Sequence, residues 1–422
     1  MRSLMISPIL PTLGGNGLAM RMGVFADALS RFSDTHVLVI PIAGTLPEGV
    51  AAPTGFRLHT LRAGGGQLET VFALLSRIAD PEARLEAFRN WGRPSQSAGL
   101  NRPLLNAVAE LIQDISPDLI HIGRVALAPC IGVFPAGPKV TLDLDEDDRA
   151  AFAMRKPGNP HEAEWLRQEG FACDQLVARY GALASRIYVS SVGERSSLKR
   201  RHPDLPFRIT SNATPRSVTL PSVRKIAARP RAAFVGSLSY APNAEGLIWF
   251  IRRVMPLLKG SGLQLDVIGT GAPPELVAAA RRRDVTLHGW AADLDTAYRR
   301  ASLAILPLQS GGGTRLKLLE AAARGVPFVA TRKAASGIAL PLKSGWLADS
   351  PVEFADGIRS LLANPFEAKR RAVTARRFVL GHHDRAALVH DLAKDLSSVL
   401  QPKGDRSERL LPAPALQASR RT

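Results

Sequence analysis

The stretch LAILPLQSGGGTRLKLLEAAARGVPFVA, residues 303–330, joins an apolar run to a helical pattern through three glycines. The run LAILPL predicts a buried strand, and the residues after the glycines have the spacing of an amphipathic helix. Successive glycines let backbone N–H groups converge without Cβ atoms in the way, and a helix N-terminus carries partial positive charge. The stretch therefore predicts a strand, a glycine loop and a helix, an arrangement that suits a phosphate group.

The same alternation of short apolar runs and helical patterns extends through most of the chain. In the first half, SLMISPIL is followed by TLGGNG, a helical pattern and THVLVIPI; in the second half, AAFVGSL, LQLDVIG and VTLHG alternate with helical patterns. Such alternation predicts parallel sheets that are covered by helices. We therefore predict an α/β fold class, with two Rossmann-like doubly wound domains that face a central cleft at the C-terminal ends of their strands.

The length of 422 residues, 45% of them hydrophobic, is enough for two domain cores. The Pro- and Arg-containing connector NATPRSVTLPSVRKIAARPR, residues 212–231, places the boundary between them. The predicted units are a first domain (1–211), a second domain (212–385), a C-terminal helix that packs back on the first domain (386–401) and a disordered tail (402–422). Residues 65–103 contain helical stretches interrupted by NWGRPSQSAG. Their pattern fits either an insertion or a mobile cap, and the sequence does not decide between them.

Charge and cysteine content narrow the functional classes. The 55 Lys+Arg against 37 Asp+Glu give a net charge of +18, which attracts phosphates, nucleic acid or anionic lipid. Aromatic residues are only 6%, and no basic and aromatic platform accompanies the charge, which argues against nucleic-acid binding. Cys130 and Cys173 lack metal-ligand spacing, so we expect neither zinc nor a disulfide framework. Because no apolar stretch approaches about 18 residues, we expect a cytoplasmic protein without a membrane span.

The helix after the glycine loop carries three different polar groups on one side. Thr314, Lys317 and Glu320 are three residues apart, and the apolar residues of the helix lie on another side. We expect Arg315 and Lys317 to neutralise a diphosphate, and Glu320, one turn further, to accept hydrogen bonds from a ribose diol. The alternative is a surface helix with an ordinary ion pair between Lys317 and Glu320.

Two longer stretches resemble a known family. FVGSLSYAPNAEGLIWFIRRVMP, from residue 234, and PLQSGGGTRLKLLEAAARGVPFVAT, from residue 307, resemble the nucleotide-sugar-binding domain of glycosyltransferase family four (group 1), whose fold is GT-B. The likeness extends to SPILPTLGGNGLAMRM and PDLIHIG in the first half, and it makes that half the acceptor side. It implies a retaining hexosyltransferase that moves a sugar from a UDP- or GDP-sugar to a glycan, lipid-linked or small-molecule acceptor. It implies no metal and no other cofactor.

The resemblance also implies which residues bind the donor. They are Gly15, Gly236, Ser237, Asn243, His288, Gly289, Trp290, Gly311, Gly312, Gly313, Thr314 and Glu320. In the family, a paired-glutamate motif ends at the position of Glu320, but its first glutamate falls on Gly312, so a carboxylate thought to assist at the donor sugar is absent. The loop after Gly236 also lacks the basic residue that many members have, which leaves Arg315 and Lys317 to supply the cations. A catalytically silent nucleotide-sugar-binding protein is the alternative.

The first half contributes further candidates. Gly15 lies in a loop that we expect to approach the donor across the cleft. His121, in DLIHIGR, is expected at a strand end that faces the same cleft, and it resembles the family's histidine near the reacting sugar, which makes it a catalytic candidate. The alternative for His121 is a hydrogen-bonded core histidine. Asp143 and Asp145 have the D-x-D spacing that binds a divalent metal in a different transferase fold, but we expect no metal here. A carboxylate of this group could contact the acceptor, and the sequence does not choose which one.

A group of basic residues near the end of the first half suggests a surface partner. Its members are Arg195, Lys199, Arg200, Arg201 and Arg208. Solvated helix faces explain most such runs, yet an enzyme with a lipid-linked acceptor must visit an anionic membrane. We therefore expect peripheral contact with the inner membrane face.

Overall fold

The computed structural model describes residues 1–14, 17–42, 53–60, 78–91, 94–97, 99–155, 157–214, 229–291, 294–310 and 316–401. Within these ranges the chain forms two sheets, and every strand pair in both sheets is parallel. The predicted α/β class is therefore confirmed.

The first sheet has seven strands in the order β3-β2-β1-β4-β5-β6-β7. The strands are β1 (Arg2–Ser7), β2 (Asp34–Val39), β3 (Phe56–Thr60), β4 (Leu119–Gly123), β5 (Lys139–Asp145), β6 (Arg186–Val189) and β7 (Phe207–Ile209). The helices of this half are α1 (Gly17–Ser30), α2 (Pro81–Trp91), α3 (Arg102–Ile115), α4 (Asp148–Ala153), α5 (Pro160–Gly181) and α6 (Val192–Arg201). Short 3₁₀ segments cover Ser95–Ser97 and Val125–Val133.

The second sheet has six strands in the order β10-β9-β8-β11-β12-β13. The strands are β8 (Arg231–Val235), β9 (Gln264–Ile268), β10 (Val285–Leu287), β11 (Leu303–Leu306), β12 (Phe328–Ala330) and β13 (Trp346–Leu347). The helices are α7 (Ala241–Trp249), α8 (Pro274–Ala279), α9 (Leu294–Arg300), α10 (Leu316–Ala323), α11 (Arg332–Ala335), α12 (Pro351–Ala363), α13 (Pro365–His382) and α14 (Arg385–Ser398). A π turn and a 3₁₀ turn, Phe250–Val254 and Met255–Leu258, extend α7.

The strand order reverses at the same place in both sheets. The first sheet changes direction between β1 and β4, and the second between β8 and β11. In doubly wound folds, ligands bind at such switch points, beyond the C-terminal ends of the strands. The loops after β1 and β8, and the segment between β11 and α10, all start at these points. The glycine loop predicted from the sequence thus follows a switch-point strand.

Two contacts between the halves involve segments that follow strand C-termini. Gly17, at the start of α1, lies so close to Leu316, at the start of α10, that a Cβ on the glycine would be 2.5 Å from Leu316 Cδ1. Nζ of Lys333, in α11, donates a hydrogen bond of 2.8 Å to the sulfur of Met154, just after α4. The C-terminal edges of the two sheets therefore face each other.

The last helix of the chain returns to the first sheet. α14 packs against α1, where Arg385 forms a salt bridge of 2.7 Å with Asp27. The Tyr188 hydroxyl of β6 donates a hydrogen bond of 2.7 Å to Asp395. The domain limits given above stay predictions, and residues 215–228 of the connector and the predicted tail lie outside the described residues.

The segment whose role the sequence left open contributes α2 and the turn at Ser95–Ser97. Ser95 donates hydrogen bonds from its backbone N–H and its hydroxyl to Glu169, a fully buried carboxyl group in α5. The Ser97 hydroxyl donates to the carbonyl oxygen of Ala126 at 2.8 Å. The described part of this segment is thus tied to the helices that cover the first sheet.

Candidate functional site

Glycines follow three neighbouring strands of the second sheet at its C-terminal edge. Gly236 comes after β8 and donates its N–H to Ile268 O at 2.9 Å, while Gly269 comes after β9 and donates to Gly289 O at 2.7 Å. A Cβ on Gly269 would overlap the carbonyl oxygen of Gly236. The close approach of these backbones requires glycine at 269, and it leaves an edge that presents main-chain groups.

Lys317, in the first turn of α10, lies over this edge. Its Cε occupies the place that a side chain on Gly236 would need, and its Nζ is 3.1 Å from the position of that missing Cβ. The lysine is half-buried. An ammonium group therefore sits at the C-terminal end of β8, beside the starts of α7 and α10.

Asn243, in the first turn of α7, is the next polar group inward. It is 1% exposed, and its Nδ2 donates a hydrogen bond of 2.5 Å to the carbonyl oxygen of Ser237. Its Oδ1 is buried and has no hydrogen-bond partner among the described residues. The Ser237 hydroxyl is exposed and lies 2.8 Å from that of Ser239. The loop after β8 thus offers exposed hydroxyl groups outside and an unsatisfied acceptor inside.

Glu320, one turn after Lys317, is buried at 4% exposure. Burial raises the pKa of its carboxyl group, whereas the positive charges of Arg324 and Lys317 oppose the rise. Arg324 itself forms a salt bridge of 2.6 Å with Asp295 and lies over the Tyr298 ring, 5.0 Å from its centroid. Lys317 and Glu320 are therefore brought together on one helix beside the edge, with the carboxylate deeper than the ammonium.

His288, Gly289 and Trp290 follow β10 on the same edge. His288 Nε2 is 2.7 Å from Asp266, which also forms a bidentate salt bridge with Arg231. Burial raises the pKa of Asp266, but hydrogen bonds from Arg231 and His288 outweigh it and hold the pKa below its usual value. The imidazole thus has a structural partner, whereas Trp290 is 49% exposed and has a free face.

His121 lies elsewhere than we expected. It is the central residue of β4, fully buried, with Nδ1 3.0 Å from the Thr141 hydroxyl and its ring stacked on Phe25 at 4.2 Å. Burial lowers its pKa to about 3, with a smaller contribution from Arg21, so the ring is neutral. The expectation of an open strand end is wrong, because β4 is packed on both faces. A catalytic contact of His121 stays a prediction.

Most of the acidic residues at the end of β5 and just after it form ion pairs with two arginines. Arg21, buried in α1, binds both oxygens of Asp143 at 2.6 and 2.7 Å. Arg124 pairs with Asp148 at 2.5 Å and donates to the carbonyl oxygen of Leu144 at 2.9 Å. Nothing in the residues around Arg21 predicts this salt bridge, because its partner Asp143 is 122 residues away. Over the part of the chain that is described, no three acidic, histidine or cysteine side chains group as metal ligands.

Asp145 is the exception among these acids. Its backbone is left-handed, with φ of 62°, at a register shift where β5 meets β6. Its contacts to Arg21 and Arg124 are long, 3.5 and 3.9 Å, and its Oδ1 is buried without a hydrogen-bond partner in the described structure. An acidic residue with a left-handed backbone and an incompletely hydrogen-bonded carboxylate, at the C-terminal edge of a sheet, is typical of functional positions.

Several predicted donor residues fall outside the described residues. They are Gly15, Gly311, Gly312, Gly313, Thr314 and Arg315. Gly17 and Leu316, the first described residues after the two loops, lie close together.

Comparison with known proteins agrees with this architecture. Residues 229–364 match a family model described as glycosyl transferases group 1. A search of curated proteins gives no match.

Solved structures give the fold over nearly the whole chain. Sucrose-phosphate synthase from Thermosynechococcus elongatus is 15% identical with a TM-score of 0.69, and the match covers 94% of this chain and 98% of that one. WaaG, a glycosyltransferase of lipopolysaccharide biosynthesis, is 14% identical with a TM-score of 0.64, covering 94% and 100%. Anabaena HepE in complex with UDP and glucose is 15% identical with a TM-score of 0.63, covering 94% and 100%.

The resemblance to group 1 that the sequence suggested is confirmed, whereas the narrower assignment to family four stays a prediction. No helix among the described residues is long and apolar enough to cross a bilayer. The chain has the GT-B fold of glycosyltransferases, and its residues 229–364 match the group 1 family.

Proposed function

We propose that this protein is a retaining hexosyltransferase that moves a sugar from a UDP- or GDP-sugar to a glycan, lipid-linked or small-molecule acceptor. The observation that carries the proposal is the ammonium group of Lys317 over Gly236, at the switch point of the second sheet. A cation, an edge of main-chain groups and the N-termini of α7 and α10 converge there. These are the groups that bind a diphosphate.

The leaving group of the reaction explains why a cation is needed at this edge. When a sugar leaves a nucleoside diphosphate, negative charge grows on the phosphate while positive character grows on the sugar ring. The loop between Gly236 and α7 has no basic residue, so α10 supplies the positive charge through Lys317. In this proposal Arg315 acts with it, and the exposed hydroxyl of Ser237 offers a further hydrogen bond to the phosphates.

The nucleoside binds further along α10 and beside β10. Glu320 accepts hydrogen bonds from the two ribose hydroxyls, which replace water that its carboxylate loses on burial. Trp290 packs on the base, and the backbone of Gly289 lies beside it. HepE is described in complexes with UDP and with UDP-glucose, which makes a uridine donor the first to test.

The acceptor approaches from the first sheet. Asp145, the last residue of β5, is not closely paired, because Arg21 binds Asp143 and Arg124 binds Asp148. We assign to it a hydrogen bond from the hydroxyl of the acceptor that attacks the sugar. Arg124 is paired with Glu146 and Asp148, so we assign it no contact with the acceptor.

The basic surface of α6 and β7 fits a lipid-linked acceptor at the inner membrane face. Arg195, Arg200 and Arg208 are exposed, whereas Arg201 is paired with Asp147 and Asp174. WaaG is described as acting in lipopolysaccharide biosynthesis, which makes a membrane-borne acceptor a reasonable class to test. Replacing the three exposed arginines by glutamine is expected to release the protein from vesicles containing phosphatidylglycerol; unchanged binding would remove the membrane contact from the proposal.

A thermal-shift screen against UDP, GDP, ADP and their glucose, galactose and mannose conjugates tests the function. A ligand that binds only the folded protein raises the melting temperature by mass action, so one base is expected to stand out. Release of nucleoside diphosphate from its sugar conjugate then separates an enzyme from a silent binder. Stabilisation without turnover with any acceptor would favour the silent binder, which Gly312 makes worth testing.

A further inference from the structure

Asn243 has a buried acceptor that its own surroundings do not satisfy. The residue is 1% exposed, and among the described residues nothing donates to its Oδ1. An unsatisfied buried acceptor is unfavourable, since the group loses its hydrogen bonds to water without replacement. Such an atom in the loop that follows a switch-point strand indicates a partner that arrives when the site is occupied.

The orientation of the amide is fixed by its other end. The Nδ2 group donates to the carbonyl oxygen of Ser237 at 2.5 Å. Turning the amide over would bring two oxygen atoms together, so Oδ1 must be the unsatisfied atom. Phosphate oxygens cannot satisfy it, because at neutral pH a diphosphate ester offers acceptors and no donor. The missing partner must therefore carry a proton to donate.

Lys317 reaches the same amide group from α10. Its Nζ and the Nδ2 of Asn243 lie 3.1 and 3.2 Å from one point, the place of the absent Cβ of Gly236. The glycine thus forms a gap through which the lysine side chain and the amide approach each other. A sugar hydroxyl is a poorer fit, because Oδ1 is buried and a side chain already at the site can reach it more easily than a ligand.

We propose that Asn243 is a positioning residue, which holds the ammonium of Lys317 through Oδ1 while that ammonium binds the phosphates of a nucleoside diphosphate. An ammonium has three N–H donors, so it can bond to Asn243 and to a phosphate oxygen at the same time. Rotation about the terminal bonds of Lys317 brings the group into place when the diphosphate arrives. This inference rests on the proposed function and adds how its cation is held.

A double-mutant cycle tests the inference. Asn243→Ala, Lys317→Ala and the double variant are titrated calorimetrically with UDP and uridine, or with the GDP or ADP pair if the wild type prefers it. In the wild-type background, Asn243→Ala is expected to weaken the diphosphate about tenfold and the nucleoside hardly at all. In the Lys317→Ala background it is expected to have no further effect, because its target is gone.

Each other outcome has its own meaning. If Asn243→Ala weakens the diphosphate equally in both backgrounds, Asn243 acts by shaping the loop and the inference fails while the function stands. If it weakens UDP-glucose and leaves UDP unchanged, Oδ1 serves the sugar, and the inference again fails. If the wild type binds no nucleoside diphosphate, the proposed function fails first.

Asn159→Ala is the matched control for the loss of a structural asparagine. Asn159 caps α5 by accepting a hydrogen bond of 2.8 Å from Glu162 N, away from the site. This change is expected to lower the melting temperature without altering the ratio of diphosphate to nucleoside affinity. If the control also shifts that ratio, the ratio depends on the stability of the fold. The double-mutant cycle would then no longer support a contact between Asn243 and Lys317.

Discussion

Lys317 and Gly236 share one space: the end of the lysine side chain fills the position where any other residue at 236 would place its Cβ. The two residues belong to elements that are far apart in the chain, the end of β8 and the start of α10. Their contact puts positive charge at the loop after β8, which has no basic residue of its own. Nucleotide binding should therefore depend on glycine at position 236 as well as on the positive charge of Lys317.

Replacing Gly236 by alanine tests this dependence. The new methyl group would displace the end of Lys317, and the positive φ of 159° at this position strains any residue other than glycine, so we expect some loss of stability together with about tenfold weaker UDP binding in calorimetry. Gly269→Ala is the contrasting control, because its Cβ would meet the backbone oxygen of Gly236 and must disturb the sheet edge. Full UDP affinity in Gly236→Ala would show that UDP binding does not require the Lys317 side chain in its position over residue 236.

Glu320→Gln tests the ribose contact. The amide keeps the size of the side chain but offers one acceptor oxygen in place of two, so the advantage of UDP over 2′,3′-dideoxy-UDP should shrink about tenfold. Competition binding of the two nucleotides measures that advantage directly. An unchanged preference for the diol would place the ribose away from Glu320.

Asp145→Asn is expected to slow transfer without weakening the donor. The change removes the negative charge of the carboxylate that we propose accepts the hydrogen bond of the acceptor hydroxyl, and a fall in kcat of about a hundredfold is the lower end expected for a lost proton acceptor. Glu146→Gln is the control, since Glu146 also contacts Arg124, at 3.4 Å. If the two variants lose the same activity, Asp145 acts only through the arginine.

Glu169 predicts how stability depends on pH. Burial raises its pKa to about 8, from an ordinary value of 4.5, although the backbone N–H of Ser95 opposes the rise. The folded protein therefore keeps a proton that the unfolded chain releases, and stability falls as pH rises from about 4.5 to 8. Glu169→Gln should remove that slope, with a gain over the wild type at pH 8 on the order of 4 kcal/mol, at about 1.4 kcal/mol per pH unit. Urea titrations at pH 5 and 8 measure it; parallel wild-type and variant profiles would show that Glu169 is ionised in the folded state.

The sequence was sufficient for the fold because its signals are local. Alternating apolar runs and helical patterns predict the parallel strands, and the glycines before Leu316 predict where α10 begins. Lys317 and Glu320 could be placed on one side of that helix from their spacing alone. Each of these inferences uses neighbours within a few residues.

The relationships that define the candidate site are long-range. Arg21 and Asp143 are 122 residues apart, and nothing in either stretch announces a buried salt bridge. His121 was expected at a strand end, but strand limits are set by pairing with β1 and β5, which places it at the centre. The unsatisfied oxygen of Asn243 depends on the tertiary position of every possible donor. Patterns of residue type carry no information of this kind.

The most direct test of the central claim is the affinity of wild type and Lys317→Ala for UDP and uridine, measured side by side by calorimetry. We expect the variant to lose about 1.5 to 3 kcal/mol of binding free energy for UDP and almost none for uridine, because only the diphosphate contacts the ammonium. Equal losses for both ligands, or unchanged UDP affinity, would contradict a diphosphate site at Lys317 and Gly236.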